Sequence, residues 1–197
     1  MKKLIAVTGG IGSGKSKVME IIESLGFPTI SCDEVTNKLY KKQSVLRKIK
    51  KIIPSGIKGN LFLKPDKKRI ADVIFNDKNK YAEFTEFLTI LTLEKTLKLA
   101  SKLKGLVFIE VPLLFEFNAE SYFDKIIVVT RELNTRIESV KTRSNLSEEQ
   151  IKERIKSQYD YENNDLTNYI VINNDGMVDD LKTKVIEILE QLKTDLY

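Results

Sequence analysis

Leu4 to Val7 is an apolar run that stops abruptly at Thr8-Gly9-Gly10, so Lys3–Thr8 predicts a short strand buried on both faces. The period then changes. Val18, Met19, Ile21, Ile22 and Leu25 recur at helical spacing after Ser16, and Gly26 closes that helix. Further strands are expected at Pro28–Ser31, at Leu106–Val111 in the centre of the sheet, at Lys125–Thr130 and at Tyr169–Ile172. Asp33 is placed to cap a helix whose apolar positions Val35, Leu39, Leu46, Ile49 and Ile53 run toward Pro54. Residues 54–65, with Pro54, Gly56, Gly59 and Pro65, read as the longest loop. Two helices follow, over 66–75 and 78–104; Phe84, Phe87, Leu88, Leu91, Leu97 and Leu99 lie on related faces of the second, which Gly105 ends. Phe75, Tyr81, Phe84 and Phe87 read mainly as core, with a lining role in a substrate groove as the alternative for one or two of them. The polar stretch 134–168 carries only a thin apolar stripe and fits two helices, Asn134–Arg143 and Ser147–Gln158, the second opened by the capping-box spacing of Ser147 and Gln150. Met177–Leu192 is the last amphipathic helix. Strands that alternate with helices give an α/β fold, a parallel sheet covered on both faces, with no internal repeat and no interdomain linker.

Composition narrows the chemistry. At 197 residues, 42% of them hydrophobic, the chain suits a single globular domain. It has one cysteine, Cys32, and no histidine. An internal disulfide, a thiolate zinc site and any histidine base or ligand are therefore excluded, and the lone thiol reads as a small buried apolar residue in a reducing compartment. The apolar stretch behind Met1-Lys2-Lys3 is too short for a signal peptide, and Glu110 and Glu116 interrupt the run Leu106–Phe117, so no membrane segment is expected and the cytoplasm is the default location. A net charge of +5 fits either lysine-rich solvated faces or attraction to phosphate-bearing ligands. Nucleic acid is not expected as a partner, because no binding motif or interleaved aromatic and basic stretch appears.

Gly9-Gly10-Ile11-Gly12-Ser13-Gly14-Lys15-Ser16 matches the pattern Gly-x-x-x-x-Gly-Lys-Ser/Thr and stands between a predicted strand and a predicted helix. Glycines at these positions let successive backbone N–H groups curl into a concave nest, and the positive end of the following helix adds to the field. Lys15 is then placed to reach the β- and γ-phosphates of a nucleoside triphosphate and Ser16 to ligate Mg²⁺. The Asn-Lys-x-Asp pattern usual in guanine-specific GTPases is missing, since Asn37-Lys38 continues as Leu39-Tyr40; ATP is the expected nucleotide.

Val7–Ser16 resembles the phosphate loop of the dephospho-CoA kinase family. Four more stretches follow in that family's order: Thr29–Asp33 where the family has a strand ending in Asp-Ala-Asp, Glu110–Glu116 like its Asp-Val-Pro-Leu-Leu-Phe-Glu, Arg143 on a lid arginine, and Ile172–Gly176 like Ile-Asp-Asn-x-Gly. The resemblance covers essentially the whole chain. It implies one P-loop kinase domain of three α/β/α layers with a five-stranded parallel sheet. The core would comprise residues 1–53, 105–133 and 169–197, with a helical substrate region at 54–104 and a lid at 134–168. It also implies phosphorylation of the ribose 3′-hydroxyl of dephospho-CoA by ATP with Mg²⁺, in a monomer or weak homo-oligomer.

The phosphate-loop motif, the ends of the predicted strands and the same resemblance together supply the expected site. Lys15, Asp33 and Arg143 are the catalytic candidates. Gly10, Ile11, Gly12, Ser13, Gly14, Lys15, Ser16, Lys17, Arg143, Asn173, Asn174 and Gly176 are the nucleotide-binding set. Thr8, Asp33, Glu110, Pro112 and Leu113 face the acceptor, and Ser16 and Glu110 hold the metal. Plainer readings stand beside these: Asp33 as a helix cap, Glu110 as a structural carboxylate, Asn173–Gly176 as a turn, and Arg143 or Arg136 as solvated helix charges, which for Arg136 is the preferred reading. Two positions depart from the family. Ser31 replaces the first aspartate of Asp-Ala-Asp, and its His-Pro pair falls near Ile90-Leu91. Another small-metabolite or nucleoside monophosphate kinase, or an ATP-binding homologue with impaired turnover, are the competing functions.

Overall fold

The computed structural model describes residues 2–144 and 146–194; the side chain of Phe75 lies outside the described set. The elements in chain order are β1 (Lys2–Thr8), α1 (Lys15–Ser24), β2 (Thr29–Ser31), α2 (Cys32–Leu39), α3 (Gln43–Ile52), β3 (Ile57–Lys58), β4 (Lys64–Pro65), α4 (Lys67–Asn76), α5 (Lys78–Ala100), β5 (Gly105–Glu110), β6 (Lys125–Thr130), α6 (Leu133–Arg143), α7 (Glu148–Lys156), β7 (Ile170–Asn173) and α8 (Val178–Thr194). They fall into two compact units, Met1–Ser31 with Ala100–Tyr197, and Cys32–Leu99.

The first unit holds the sheet, ordered β2-β5-β1-β6-β7, and every strand pair in it is parallel. β1 lies at its centre, with Ile5, Ala6, Val7 and Thr8 all fully buried. Parallel strands with both faces covered need continuous apolar sequence, which is why β1, β5 and β6 were legible as runs rather than as alternating patterns. One face is closed by α1 and α8: Val18, Ile22, Leu181, Val185 and Leu189 share a cluster with Ile5, Val7, Phe108, Ile127 and Val129. Each such side chain contributes about 1.5–3 kcal/mol through burial. From β1 the chain leaves to one side for β2 and later returns past β1 to β6, so loops diverge at the carboxyl end of β1. That crevice is where open α/β sheets take their ligands. The α6–α7 hairpin, with the capping box at Ser147 and Gln150 in place, carries a small core of Ile137, Val140 and Ile151, into which Ile11 also packs.

Between α2 and β5 the structure departs from the sequence reading in four places. The helix expected from Asp33 to Pro54 is two helices. Leu39 and Leu46 are seven residues apart and in phase for one continuous helix, which hid the turn closed by Lys41 N–H to Lys38 O and Lys42 N–H to Leu39 O. The loop over 54–65 contains a 3-10 turn and the antiparallel pair β3–β4, with Gly59 in the left-handed region at the bend. Gln43 holds this hairpin from both sides, donating to Leu63 O at 3.0 Å and accepting from Leu63 N–H at 2.8 Å. Gly105 does not end α5, which stops at Ala100; it opens β5 at φ 75°. Leu99, expected on the apolar face of α5, is exposed, whereas Phe84 is buried. α2 is tied to α5 by Thr36 with Thr92 (2.9 Å) and by buried Cys32 with Thr96 (3.6 Å).

Candidate active site

The loop between β1 and α1 takes its shape from positions that only glycine tolerates well. Gly9 has φ +144°, and a Cβ there would fall on the carbonyl oxygen of Val129. Gly14, at φ 97°, is the N-cap of α1, and a Cβ there would meet the amide nitrogen of Asn174. Asn174 uses that nitrogen to donate to Ser13 O at 2.8 Å, while its own N–H donates to Thr130 O, so the turn after β7 is fastened to the loop and to the end of β6. Asn173 and Asp175 are exposed and bond each other; Asp175 also accepts from Glu132 N–H at 2.6 Å.

Lys15 is half-buried, with its Nζ 2.6 Å from Gly9 O and 3.0 Å from Gly10 O, so its ammonium lies along the loop. Ser16 Oγ donates to Glu110 Oε1 at 3.2 Å. Glu110 is the last residue of β5 and is buried; in the ladder it is flanked by Val7 on β1 and by Ser31 on β2. A hydroxyl and a carboxylate meeting at the foot of an anion-binding loop are hard oxygen donors suited to Mg²⁺. Among the described residues no group of three or more His, Cys, Asp or Glu gathers. Beside the loop opens a cavity of about 280 Å³ whose lining includes Lys15, Ser16, Arg131, Arg143, Asn174 and Gly176. Gly12, Gly14 and Lys17 border it too, with Lys17 paired to Glu20. Four cationic side chains, Lys15, Lys17, Arg131 and Arg143, therefore line one concave surface together with the first turn of α1.

Arg136 corrects the reading that made it a solvated charge. It is only 4% exposed, its Nε donates to Ile11 O at 3.0 Å, and its Nη1 meets Glu162 at 3.2 Å. Gly10 and Gly12 both abut it, so a side chain at either would collide with Arg136. Burial pulls its pKa below the usual arginine value, against the opposing pull of Glu162 and Tyr161, and it remains a cation. The signal was present in the sequence: Arg136 stands four residues before Val140, on the apolar stripe. Ile11 N–H, counted in the nucleotide set, donates instead to Gln158 Oε1 at 2.7 Å. Both peptide groups of Ile11 are thus hydrogen-bonded to side chains from α6 and the stretch after α7, which ties the loop to that segment.

Thr8 is fully buried, and its hydroxyl is 3.2 Å from that of Tyr161. Tyr161 belongs to an aromatic group with Phe115 and Tyr159, while Glu116 accepts from Tyr159 N–H. Burial pushes the Tyr161 phenol up to about 12. The unfolded phenol ionises near 10, so the folded state holds the extra proton above that pH and stability falls from about pH 10 toward 12. Urea midpoints across that range should show the drop, and Tyr161→Phe should flatten it. Nothing local in the sequence pointed to Arg131, Gln158 or Tyr161; their roles depend on contacts across the fold.

Pro112 and Leu113 are half-buried in the turn after β5, where Val111 N–H donates to Val7 O. Asp33 is exposed in the first turn of α2, which starts at Cys32, so it lies inside the helix rather than capping it; it belongs to the second unit.

A parallel sheet that feeds a Gly-x-x-x-x-Gly-Lys-Ser loop directly into a helix, with a hydroxyl–carboxylate pair at its foot, defines a P-loop protein, the class that holds nucleoside triphosphates. The sequence profile of dephospho-CoA kinase matches residues 3–180. Curated dephospho-CoA kinases from Thermobifida fusca and Helicobacter pylori are each 29% identical, with 98% of both chains covered. Among solved structures, a Thermus thermophilus protein aligns with TM-score 0.83 at 27% identity over 97% of this chain and 98% of that one. The dephospho-CoA kinase of Campylobacter jejuni aligns with TM-score 0.70 at 28% identity over the whole of both chains. The chain belongs to the dephospho-CoA kinase family, and it is a kinase that transfers phosphate to a hydroxyl group.

Proposed function

We propose that this chain phosphorylates the ribose 3′-hydroxyl of dephospho-CoA with ATP and Mg²⁺, giving coenzyme A and ADP in the cytoplasm. The observation that carries this reading is the pairing of Ser16 with Glu110 beneath a glycine loop whose cavity also gathers Lys15, Arg131 and Arg143. The first-turn N–H groups of α1 hold the polyphosphate of ATP, and Lys15 swings from the carbonyls of Gly9 and Gly10 to the β- and γ-phosphates. Ser16 and Glu110 would hold Mg²⁺, which neutralises charge on the phosphate oxygens. Arg143 and Arg131 act on the transferred phosphoryl, where charge spread over equatorial oxygens makes fixed cations more useful than a strong base. Asn174 and Gly176 form the base-side wall of the nucleotide cavity.

Asp33 follows β2 by two residues and receives the acceptor hydroxyl, orienting it and accepting its proton as the P–O bond forms. Ser31 lies in register with Glu110, so β2 and β5 present one carboxylate here rather than two. The helical unit supplies the acceptor site, and the α6–α7 segment acts as the lid that excludes water from the transfer.

Release of ADP with dephospho-CoA, compared with AMP, uridine and shikimate as acceptors, tests the assignment: activity confined to dephospho-CoA is expected, and a preference for another acceptor overturns it. Asp33→Asn should lower kcat about 10²-fold or more while the urea midpoint barely moves. Equal losses of rate and stability would reduce Asp33 to a helix residue.

A further inference from the structure

Residues 10–12 of the glycine loop are gripped from outside by two side chains that the proposed chemistry does not use, Gln158 and Arg136. A trans peptide is planar, so its C=O and its N–H point in opposite directions. In the 10–11 peptide, Ile11 N–H donates outward to Gln158 Oε1 at 2.7 Å. The carbonyl of that peptide, Gly10 O, accepts from Lys15 Nζ at 3.0 Å and from Ser13 N–H at 3.2 Å, so this unit is pinned at both ends. The next peptide is reversed. Ile11 O turns outward to Arg136 Nε at 3.0 Å, which aims Gly12 N–H the opposite way. Gly12 borders the nucleotide cavity, and among the described residues no acceptor takes its N–H.

The loop's own backbone does not dictate that second orientation. Gly12 lies at φ +80°, and a glycine tolerates either sign of φ, so the 11–12 peptide can turn over by rotation about Ile11 ψ and Gly12 φ. Turned over, it would present the partial negative charge of Ile11 O to a polyphosphate instead of a donor. Arg136 decides between the two. Its guanidinium is buried and held by Glu162 through Nη1 at 3.2 Å, and its backbone lies against Gly12. A fixed cation donating to Ile11 O favours the outward carbonyl through a charge-assisted hydrogen bond. Resting on the assignment of this loop to ATP, we infer that Arg136 is a positioning residue for the nucleotide. It acts through the backbone, holding the 11–12 peptide so that Gly12 N–H meets the polyphosphate.

The test is ADP binding to the full chain by calorimetry, with the Gly12 amide followed by NMR, for the wild type, Arg136→Met and Glu162→Gln. Methionine fills much of the buried volume but donates nothing to Ile11 O. Glu162→Gln, at an exposed side chain, removes the ion pair and leaves the Nε bond in place. In the wild type the Gly12 amide is expected to shift strongly as ADP binds. Arg136→Met should lose that shift and bind ADP about tenfold more weakly or worse, the cost of one charged hydrogen bond, with the KM for ATP rising in step. Glu162→Gln should keep the shift and an ADP affinity within about threefold of wild type. If Arg136→Met does not fold, Arg136→Lys takes its place with the same losses expected, because it keeps the charge beside Glu162 but puts a methylene where Nε stands. An Arg136 variant that retains the Gly12 shift and wild-type ADP affinity overturns the inference. So does an equal loss in Glu162→Gln, which would make the ion pair, not the peptide, the cause. Failure of the nucleotide assignment is a separate result: the wild type itself would bind no ADP.

Discussion

Lys15→Ala is expected to lower kcat for phosphoryl transfer by about 10²–10³-fold, the usual cost of removing one preorganised charge from the place where transition-state charge collects. The structure makes Lys15 the charge best placed for this. Its ammonium rests on the carbonyls of Gly9 and Gly10, at the turn that feeds N–H groups to the phosphates, and a short swing carries it from there to the cargo. Those two contacts are modest supports for the folded loop, on the order of 1 kcal/mol each, so the variant should stay folded. A rate that collapses while the thermal midpoint moves by only a few degrees is the expected pattern, read by single-turnover kinetics and calorimetry. A variant that keeps wild-type kcat would mean that the loop does its work without this cation.

Gly9→Ala should do the opposite and damage the fold itself. The new Cβ would meet the backbone carbonyl of Val129, which cannot rotate away because β6 is hydrogen-bonded on both edges, to β1 and to β7. The backbone at φ +144° adds strain of its own for any residue with a side chain. A loss of about 3 kcal/mol or more is expected from the two together, seen as a lower urea midpoint and weakened ATP binding. Gly26→Ala is the internal control. Gly26 has φ +85°, but nothing lies within 4 Å of the position its Cβ would take, so only the left-handed strain of about 1–2 kcal/mol applies. If the two substitutions cost the same, the close packing of the loop against β6 is not what fixes its shape.

The sequence was most readable where a single cause governs the outcome. β6 was placed to the residue because its buried stretch Ile126–Val129 is wholly apolar and is bracketed by polar Lys125 and Thr130. The glycine loop was readable because a backbone nest cannot be built from other residues. The break at Tyr40–Lys42 was not, since no glycine or proline marks it and Leu39 and Leu46 remain in phase across it. At the candidate site, Ser16 meets Glu110 and Lys15 lies along the loop, positions that the motif and the end of β5 had marked. Arg131, Gln158 and Tyr161 depend on neighbours far along the chain; Gln158 meets Ile11 across 147 residues and Tyr161 meets Thr8 across 153. Arg136 shows an intermediate case. The helical stripe placed it inward, but its charge argued for solvent, and the outcome turned on two acceptors, Ile11 O and Glu162, that no local pattern reveals. Burial of a cation is tolerable only with such partners.

The most direct measurement is the mass of the acceptor after incubation of the protein with ATP, Mg²⁺ and dephospho-CoA. A gain of one phosphoryl group on the 3′ position of the ribose, matched mole for mole by ADP, is the result expected. Consumption of ATP with the acceptor unchanged in mass, or a phosphoryl group found anywhere else on it, would contradict the assignment of this site.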